Sequence, residues 1–270
     1  MTPEALAERV ARICGERVGK VVRFAGGDIS GASRATLSNG RTVVAKSGPM
    51  VEREARMLGA LYESGAPVPA VLGTADGILV MEDLGEGAPL EERSWVALAQ
   101  ALEPLRNVGQ PSYGWHEDYS LRDVAVDNGG SNDWVRFWTE KRLLCHLPVL
   151  PTDLARRVER LAKKLSDIIP ATPKPSLVHG DLWGGNVFAQ RDGKVWLIDP
   201  CAYYGDREVD AACLTVFDRP PDSFFEVLEL DPGWRERQPA YRLWLWLVHI
   251  RLFGESYRPA AERDLSALGF

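Results

Sequence analysis

The chain has 270 residues, 45% of them apolar and 26% charged, with a formal net charge of −6 and an isoelectric point near 5.4. That acidity argues against a nucleic-acid partner, since the sequence shows no local basic patch to offset it. Cys14, Cys145, Cys201 and Cys213 form no Cys-x-x-Cys pair and no Cys/His group at zinc spacing, so they read as reduced thiols, and the length suits one large domain or two modest ones.

Residues 3–14 place Leu6, Val10 and Ile13 at helical spacing behind Thr2 and Pro3, a cap and a first-turn proline. The spacing predicts an amphipathic helix without the continuous apolar core of an export signal. Three β-rich runs follow at 18–24, 33–37 and 42–46. Gly26, Gly27 and Gly31 break the first junction, and Asn39-Gly40 reads as the hairpin turn of the second. The run 50–65 spaces Val51, Ala55, Leu58 and Leu61 on one helical face and stops at Gly65. After Pro67 and Pro69, residues 77–84 read as a strand.

The order helix, three strands, helix, strand fills residues 1–84, and the pattern turns helical beyond it, so a lobe boundary is expected at 83–87. Helical patterns recur at 94–105, 132–147, 152–168 and 240–253. The last contains the most apolar stretch, 243–248, far shorter than the ~20 residues of a spanning helix and flanked by Arg242 and Arg251. Between the third and fourth patterns lie two short strands, 186–189 and 195–198, joined by an Arg191-Asp192-Gly193 turn.

Phosphoryl transfer asks a protein for a cover over the phosphates, a cation on them, oxygen ligands for magnesium and a carboxylate that orients the acceptor. His179-Gly180-Asp181-Leu182-Trp183-Gly184-Gly185-Asn186 sets an Asp five residues before an Asn, the separation found in the catalytic loop of kinases. A loop of that length presents a carboxylate to an acceptor hydroxyl and turns an amide oxygen to a metal, with Gly184-Gly185 giving backbone freedom for the return. Asp181 is thus the expected base and Asn186 an expected magnesium ligand. Leu197-Ile198-Asp199-Pro200 ends a strand with a carboxylate where kinases carry Asp-Phe-Gly, making Asp199 the second expected magnesium ligand. Pro200 and Cys201 in place of Phe and Gly argue for a constitutive enzyme without a flipping segment.

The turn 25–31, with Gly26, Gly27, Ser30 and Gly31, joins two strands as a loop over nucleotide phosphates does. Lys46 ends its strand like the lysine of the kinase Val-Ala-Ile-Lys strand, placed to pair with the α and β phosphates of ATP. Glu54, in preference to Glu52, is placed on the next helix to orient that lysine. Met81-Glu82-Asp83-Leu84 joins the two parts, where backbone groups of Glu82 and Leu84 would hold adenine. Each piece alone has a plainer reading: a solvated strand-end lysine, a polar helix face, a glycine hairpin, a capping Asp. Their order along one chain is what points to ATP- and magnesium-dependent phosphotransfer.

HGDLWGGN followed by LIDPCAYYGDREVDAACL resembles the signature of the fructosamine/ketosamine kinases, relatives of aminoglycoside and choline phosphotransferases. The resemblance also takes in AGGDISGASRATLSNGRTVVAKSG, VEREARML, ILVMEDL and NDWVRFWTEKRL. It implies an α+β, two-lobed protein-kinase-like fold, with a small antiparallel-sheet nucleotide lobe at 1–84 and a larger helical lobe at 85–270. It further implies ATP and Mg2+ as cofactors and, as acceptor, a sugar hydroxyl of a glycated amine, free or on a protein lysine, in a deglycation repair. Trp183, directly beyond the expected base, is expected to wall the acceptor site, against the plainer reading of a core tryptophan. Asp206, with Glu208 and Asp210, is expected to attract a cationic amine, Asp210 having the alternative of anchoring the helix 211–217. Many relatives carry a redox-sensitive cysteine in the glycine loop; Asp28 stands there instead, so no such switch is expected. The alternatives are an aminoglycoside, choline or sugar kinase of the same fold, and an inactive kinase-like binding module. The presence of Lys46, Asp181, Asn186 and Asp199 speaks against the latter. The expected setting is cytoplasmic, as a monomer or homodimer with neither membrane nor nucleic acid as partner.

Overall fold

A computed structural model describes residues 1–24 and 31–270. Helix α1 (Pro3–Cys14) forms as its caps dictate: Thr2 Oγ1 accepts from the Ala5 amide at 3.3 Å, and Gly15 ends the helix in the left-handed conformation at φ 70°. There follow β1 (Val18–Arg23), β2 (Ser33–Leu37), β3 (Thr42–Ser47), α2 (Val51–Ser64), β4 (Val71–Ala75) and β5 (Ile78–Glu82). The five strands build one antiparallel sheet in the order β1-β2-β3-β5-β4. Strand β4 is an addition to the sequence expectation. Its Val71, Leu72 and Thr74 are all exposed, so this edge strand lacks the in-out alternation that marks a half-buried one.

Strand β5 explains how the sheet joins the rest. Ile78 and Val80 pack with Leu6 and Val10 of α1, Ala35, Leu37, Val43 and Ala45 into a small core on one face. Leu79 and Met81, pointing the other way, pack with Val51, Met57, Leu58 and Leu61 of α2 in a second core that continues through the helical part. A strand buried on both faces reads as a continuous apolar run, which is why Ile78-Leu79-Val80-Met81 was legible.

The helical part contains α3 (Glu92–Leu102), the hairpin β6 (Tyr119–Leu121) and β7 (Val124–Val126), α4 (Trp134–Trp138), α5 (Thr152–Ala162), β8 (Ser176–Val178), β9 (Val187–Ala189), β10 (Val195–Leu197), β11 (Tyr203–Gly205), α6 (Glu208–Phe217), α7 (Asp222–Leu228), α8 (Trp234–Phe253) and α9 (Arg258–Ala267). Strands β9 and β10 pair as expected, and β8 pairs antiparallel with β11. The helix expected at 132–147 is broken: α4 passes into a π-turn at Thr139–Leu143 and a 3-10 stretch at Leu144–Val149. The π-turn swings Arg142 wholly inside, over the rings of Phe137, Tyr203 and Trp244 at 4.7, 4.5 and 5.2 Å. Helix α8 is buried on most of its circumference, from Leu243 to Val248, and none of the helices among the described residues is long and apolar enough to cross a membrane.

Candidate active site

The sheet and the helical part enclose a cleft of about 1170 Å³. Lys46, Glu54, Glu82 and Leu84 line it from the sheet side, and Tyr119, Asp181, Trp183, Asn186 and Asp199 from the other. Eight of the residues singled out by the sequence therefore share one concavity: Lys46, Glu54, Glu82, Leu84, Asp181, Trp183, Asn186 and Asp199.

Lys46 bridges the two sides. Its Nζ donates to Glu54 Oε1 at 2.5 Å and to Asp199 Oδ1 at 2.9 Å, with the lysine and Glu54 almost wholly buried. Burial by itself would push the ammonium down, but Glu54 and then Asp199 outweigh it and hold Lys46 above its ordinary value. Glu52, the competitor of Glu54, is exposed.

The loop after β8 is fixed from beneath. Asp210, buried in the first turn of α6, accepts the amides of His179 at 2.8 Å and Gly180 at 2.9 Å. The His179 Nε2 lies 2.9 Å from the Ile198 carbonyl, which can only accept, so Nε2 carries the proton; burial holds this ring down at about 4 and therefore neutral. Gly180 has φ +79°, and a Cβ there would stand 2.1 Å from the Cys201 carbonyl oxygen, so this close approach to the segment after Asp199 admits only glycine.

Asn186 Nδ2 donates to the Asp181 carbonyl at 2.7 Å and to Asp181 Oδ2 at 3.1 Å, which leaves Asn186 Oδ1 as the side chain's accepting atom. Burial on the cleft floor, opposed by the Asn186 bond and reinforced by Asp199 and Asp210, pushes the Asp181 carboxyl up to about 7. The Ile198 amide donates to the Asn186 carbonyl at 3.0 Å, tying the end of β10 to the loop. The next residue, Asp199, adopts φ +55°, a conformation that non-glycine residues seldom take and that clusters at functional sites.

Trp183 is exposed on the cleft wall, its ring edge-on to Phe217 at 5.7 Å, with Phe217 in turn 4.9 Å from His249. At the junction of the two parts, Glu82 turns its carboxylate to the Ala70 amide, and the Leu84 carbonyl accepts from Gln190 Nε2 at 2.6 Å. Arg34 of β2 pins the neighbouring Asp83 at 2.6 Å. Gly31 stands at φ +54° before β2; Gly26, Gly27 and Ser30, and Asp28 with them, lie outside the described residues.

The expectation for Asp206 is corrected. It is buried outside the cleft lining, takes the Tyr241 hydroxyl at 2.7 Å and the Glu208 amide at 3.0 Å, and so supports the start of α6 instead of facing a ligand. Glu208 is likewise committed, to a two-point ion pair with Arg237 at 2.8 and 2.6 Å. Asp210 anchors, as its alternative had it, though what it anchors is the loop at His179-Gly180. Sequence reading missed Asp218, whose carboxylate accepts the Gly184 amide at 2.7 Å, and the cleft residues Tyr119, Phe217 and His249. Phe217 and His249 were visible in the sequence only as members of helices, Tyr119 and Asp218 lay in stretches it left unassigned, and no spacing motif singles out any of the four.

Comparison with known proteins identifies the family and the fold. The fructosamine kinase family description matches residues 7–268. A probable ketoamine kinase of Thermus thermophilus is 33% identical over 279 aligned positions, covering 99% of this chain and 100% of its own. The crystal structure of a candidate fructosamine-3-kinase from Thermobifida fusca superposes with a TM-score of 0.89 at 30% identity, covering 99% of both chains. An amicoumacin kinase solved with AMP-PNP and Ca2+ shares the fold at a TM-score of 0.66 and 14% identity, over 99% of this chain and 93% of its own. With an α+β, protein-kinase-like architecture and a family match over nearly its whole length, the chain belongs to the fructosamine kinase family of hydroxyl-directed phosphotransferases.

Proposed function

We propose that this chain transfers the γ-phosphoryl of ATP, with magnesium, to a sugar hydroxyl of a fructosamine-type glycated amine. The observation that carries the reading is the 2.9 Å contact of Lys46 with Asp199 across the cleft, beside Asp181 and Asn186 on its floor. In it, residues 1–84 form the nucleotide lobe and residues 85–270 bring the catalytic loop and the acceptor site. Lys46, oriented by Glu54, meets the α and β phosphates; the turn with Gly26, Gly27, Ser30 and Gly31 covers them; backbone groups of Glu82 and Leu84 hold adenine.

The residues present fit magnesium. Asp199 Oδ2 and Asn186 Oδ1 are hard oxygen donors, and among the described residues no three or more His, Cys, Asp or Glu side chains converge so as to hold a metal ion by themselves. That sparse donor set suits an ion whose remaining ligands are phosphate oxygens and water. When bound, magnesium would supply charge neutralisation between the β and γ phosphates.

Asp181 takes the proton of the acceptor hydroxyl. Burial on the cleft floor raises its carboxyl above the ordinary carboxylate range, which makes it a stronger base than an exposed aspartate. Trp183, with Phe217 and His249 behind it, walls the acceptor side with rings, which suit the apolar face of a sugar or the methylenes of an amine. Phosphorylation of such an adduct favours its breakdown with release of the amine, a deglycation repair carried out where ATP is held, in the cytoplasm.

Mixed sugar-lysine adducts incubated with ATP and magnesium, read by mass spectrometry, test the proposal. One adduct gains the mass of a phosphate, and Asp181→Asn abolishes the gain. Phosphate appearing on an aminoglycoside or on choline, with every ketosamine left unmodified, would overturn it.

A further inference from the structure

Glu54 reaches Lys46 only while α2 keeps its rotation about its own axis. The buried face of the helix, with Met57, Leu58 and Leu61 beside Glu54, packs into the core through apolar contacts, which are not directional. The polar contacts are made by a neighbouring face. Arg56 Nε and Nη2 donate to Glu117 Oε2 and Oε1 at 2.7 and 2.9 Å, a two-point pair, and Arg53 Nη1 donates to the Asp118 carbonyl at 2.8 Å. Arg56 in turn holds the Glu117 carboxyl below its ordinary range.

The receiving segment is itself immobilised from the core. Asn128, wholly buried, gives its Nδ2 to the Glu117 carbonyl at 3.2 Å and its amide to Asp118 Oδ1 at 2.9 Å. Its Oδ1 accepts from Arg142 Nη2 at 2.7 Å, the guanidinium that the π-turn drives inward over Tyr203, four residues beyond Asp199. Tyr119, directly after Asp118, opens β6 and lines the cleft. One short segment therefore touches α2 on one side and the nucleotide cleft on the other.

We propose that the Arg56–Glu117 pair, seconded by Arg53 on the Asp118 carbonyl, is the positioning contact that keeps Glu54 on Lys46 and so presets the cleft for nucleotide. The inference rests on the nucleotide reading of Lys46 and is independent of the acceptor. Because Arg56 and Glu117 are 45% and 27% exposed, the pair adds little to global stability. A loss of nucleotide affinity that the charge exchange restores, against a melting change of only a few degrees, therefore separates positioning from support.

The test uses the full chain carrying Arg56→Gln, Glu117→Gln, both together, and the exchange Arg56→Glu with Glu117→Arg. Calorimetric titration with MgADP and thermal melting are measured for each, and the unaltered chain's MgADP affinity checks the nucleotide reading by itself. Each single change is expected to weaken MgADP binding about five-fold, the scale of one well-formed exposed pair. The double change should be no weaker than the weaker single, because both remove one interaction, and the exchange should recover most of the loss. Melting should fall by no more than about 4 °C, the scale of about 1 kcal/mol in a chain of this size, and the exchange should restore it together with binding. Single variants that bind MgADP as tightly as the unaltered chain, or losses that add in the double variant, would overturn the inference.

Discussion

At the scale of single residues, the cleft brings together side chains whose spacing along the chain already singled them out. Asp181 and Asn186 were legible because five positions of one tight loop bring a carboxylate and an amide onto the same floor, and the amide then bonds back to the aspartate. Lys46 and Glu54 were legible because a strand end and the following helix face each other at once. Asp206 was not. Its letters, in a run of acids, read equally as surface or core, and what decides is the Tyr241 hydroxyl 35 positions away. Gly180 carries the sharpest residue-scale prediction. Adding a Cβ forces the loop off the Cys201 carbonyl at a positive φ, so Gly180→Ala should lower kcat at least about ten-fold and stability by about 2 kcal/mol. Steady-state kinetics and denaturant unfolding measure the two, and unchanged values in both would show that the loop tolerates displacement.

At the scale of elements, long segments with a clear period were readable and short or interrupted ones were not. Helix α2 carries its face and its terminal glycine in the sequence, whereas β8 and β11, three residues each, exist because they pair with each other. The stretch after α4 is the instructive failure. A 3.6-residue period does not announce a π-turn, and the turn forms because Arg142 gains the Asp127 carbonyl, Asn128 Oδ1 and three rings once inside. The 3-10 stretch beyond it buries His146, with Arg251 donating to its Nδ1 at 3.4 Å. Burial first, then the charges of Arg251 and Arg142, push this ring down to about 3. A histidine lowered in the folded state costs nothing above its ordinary value of about 6.5 and loses stability as the pH falls below it, since only the unfolded chain then takes up the proton. Between pH 7 and pH 5 the chain should lose about 2 kcal/mol more than His146→Gln does. Urea unfolding of both at the two pH values checks this, and parallel pH profiles would refute a neutral buried ring.

At the scale of the molecule, two apolar cores meet through β5 and leave a cleft where their polar residues converge. The sequence made that division visible through the change from strand to helix patterns near residue 84. It could not show which helices of the C-terminal part wall the cleft, because Phe217 and His249 owe their position to the packing of α6 against α8, a contact between segments far apart in the chain. The same packing supplies the rings behind Trp183 that the proposed acceptor meets.

The proposed function turns on Asp199 and Asn186 sharing the cleft with Lys46, where they would hold a magnesium-bound nucleotide. The direct measurement is the magnesium dependence of ATP turnover in the unaltered chain and in Asp199→Ala, with circular dichroism to confirm that both are folded. Asp199→Ala is expected to keep its fold and lose turnover by about a hundred-fold or more, the scale of several kcal/mol of charge stabilisation. A folded Asp199→Ala protein that turns over ATP at the unaltered rate, with the same response to magnesium, would contradict it.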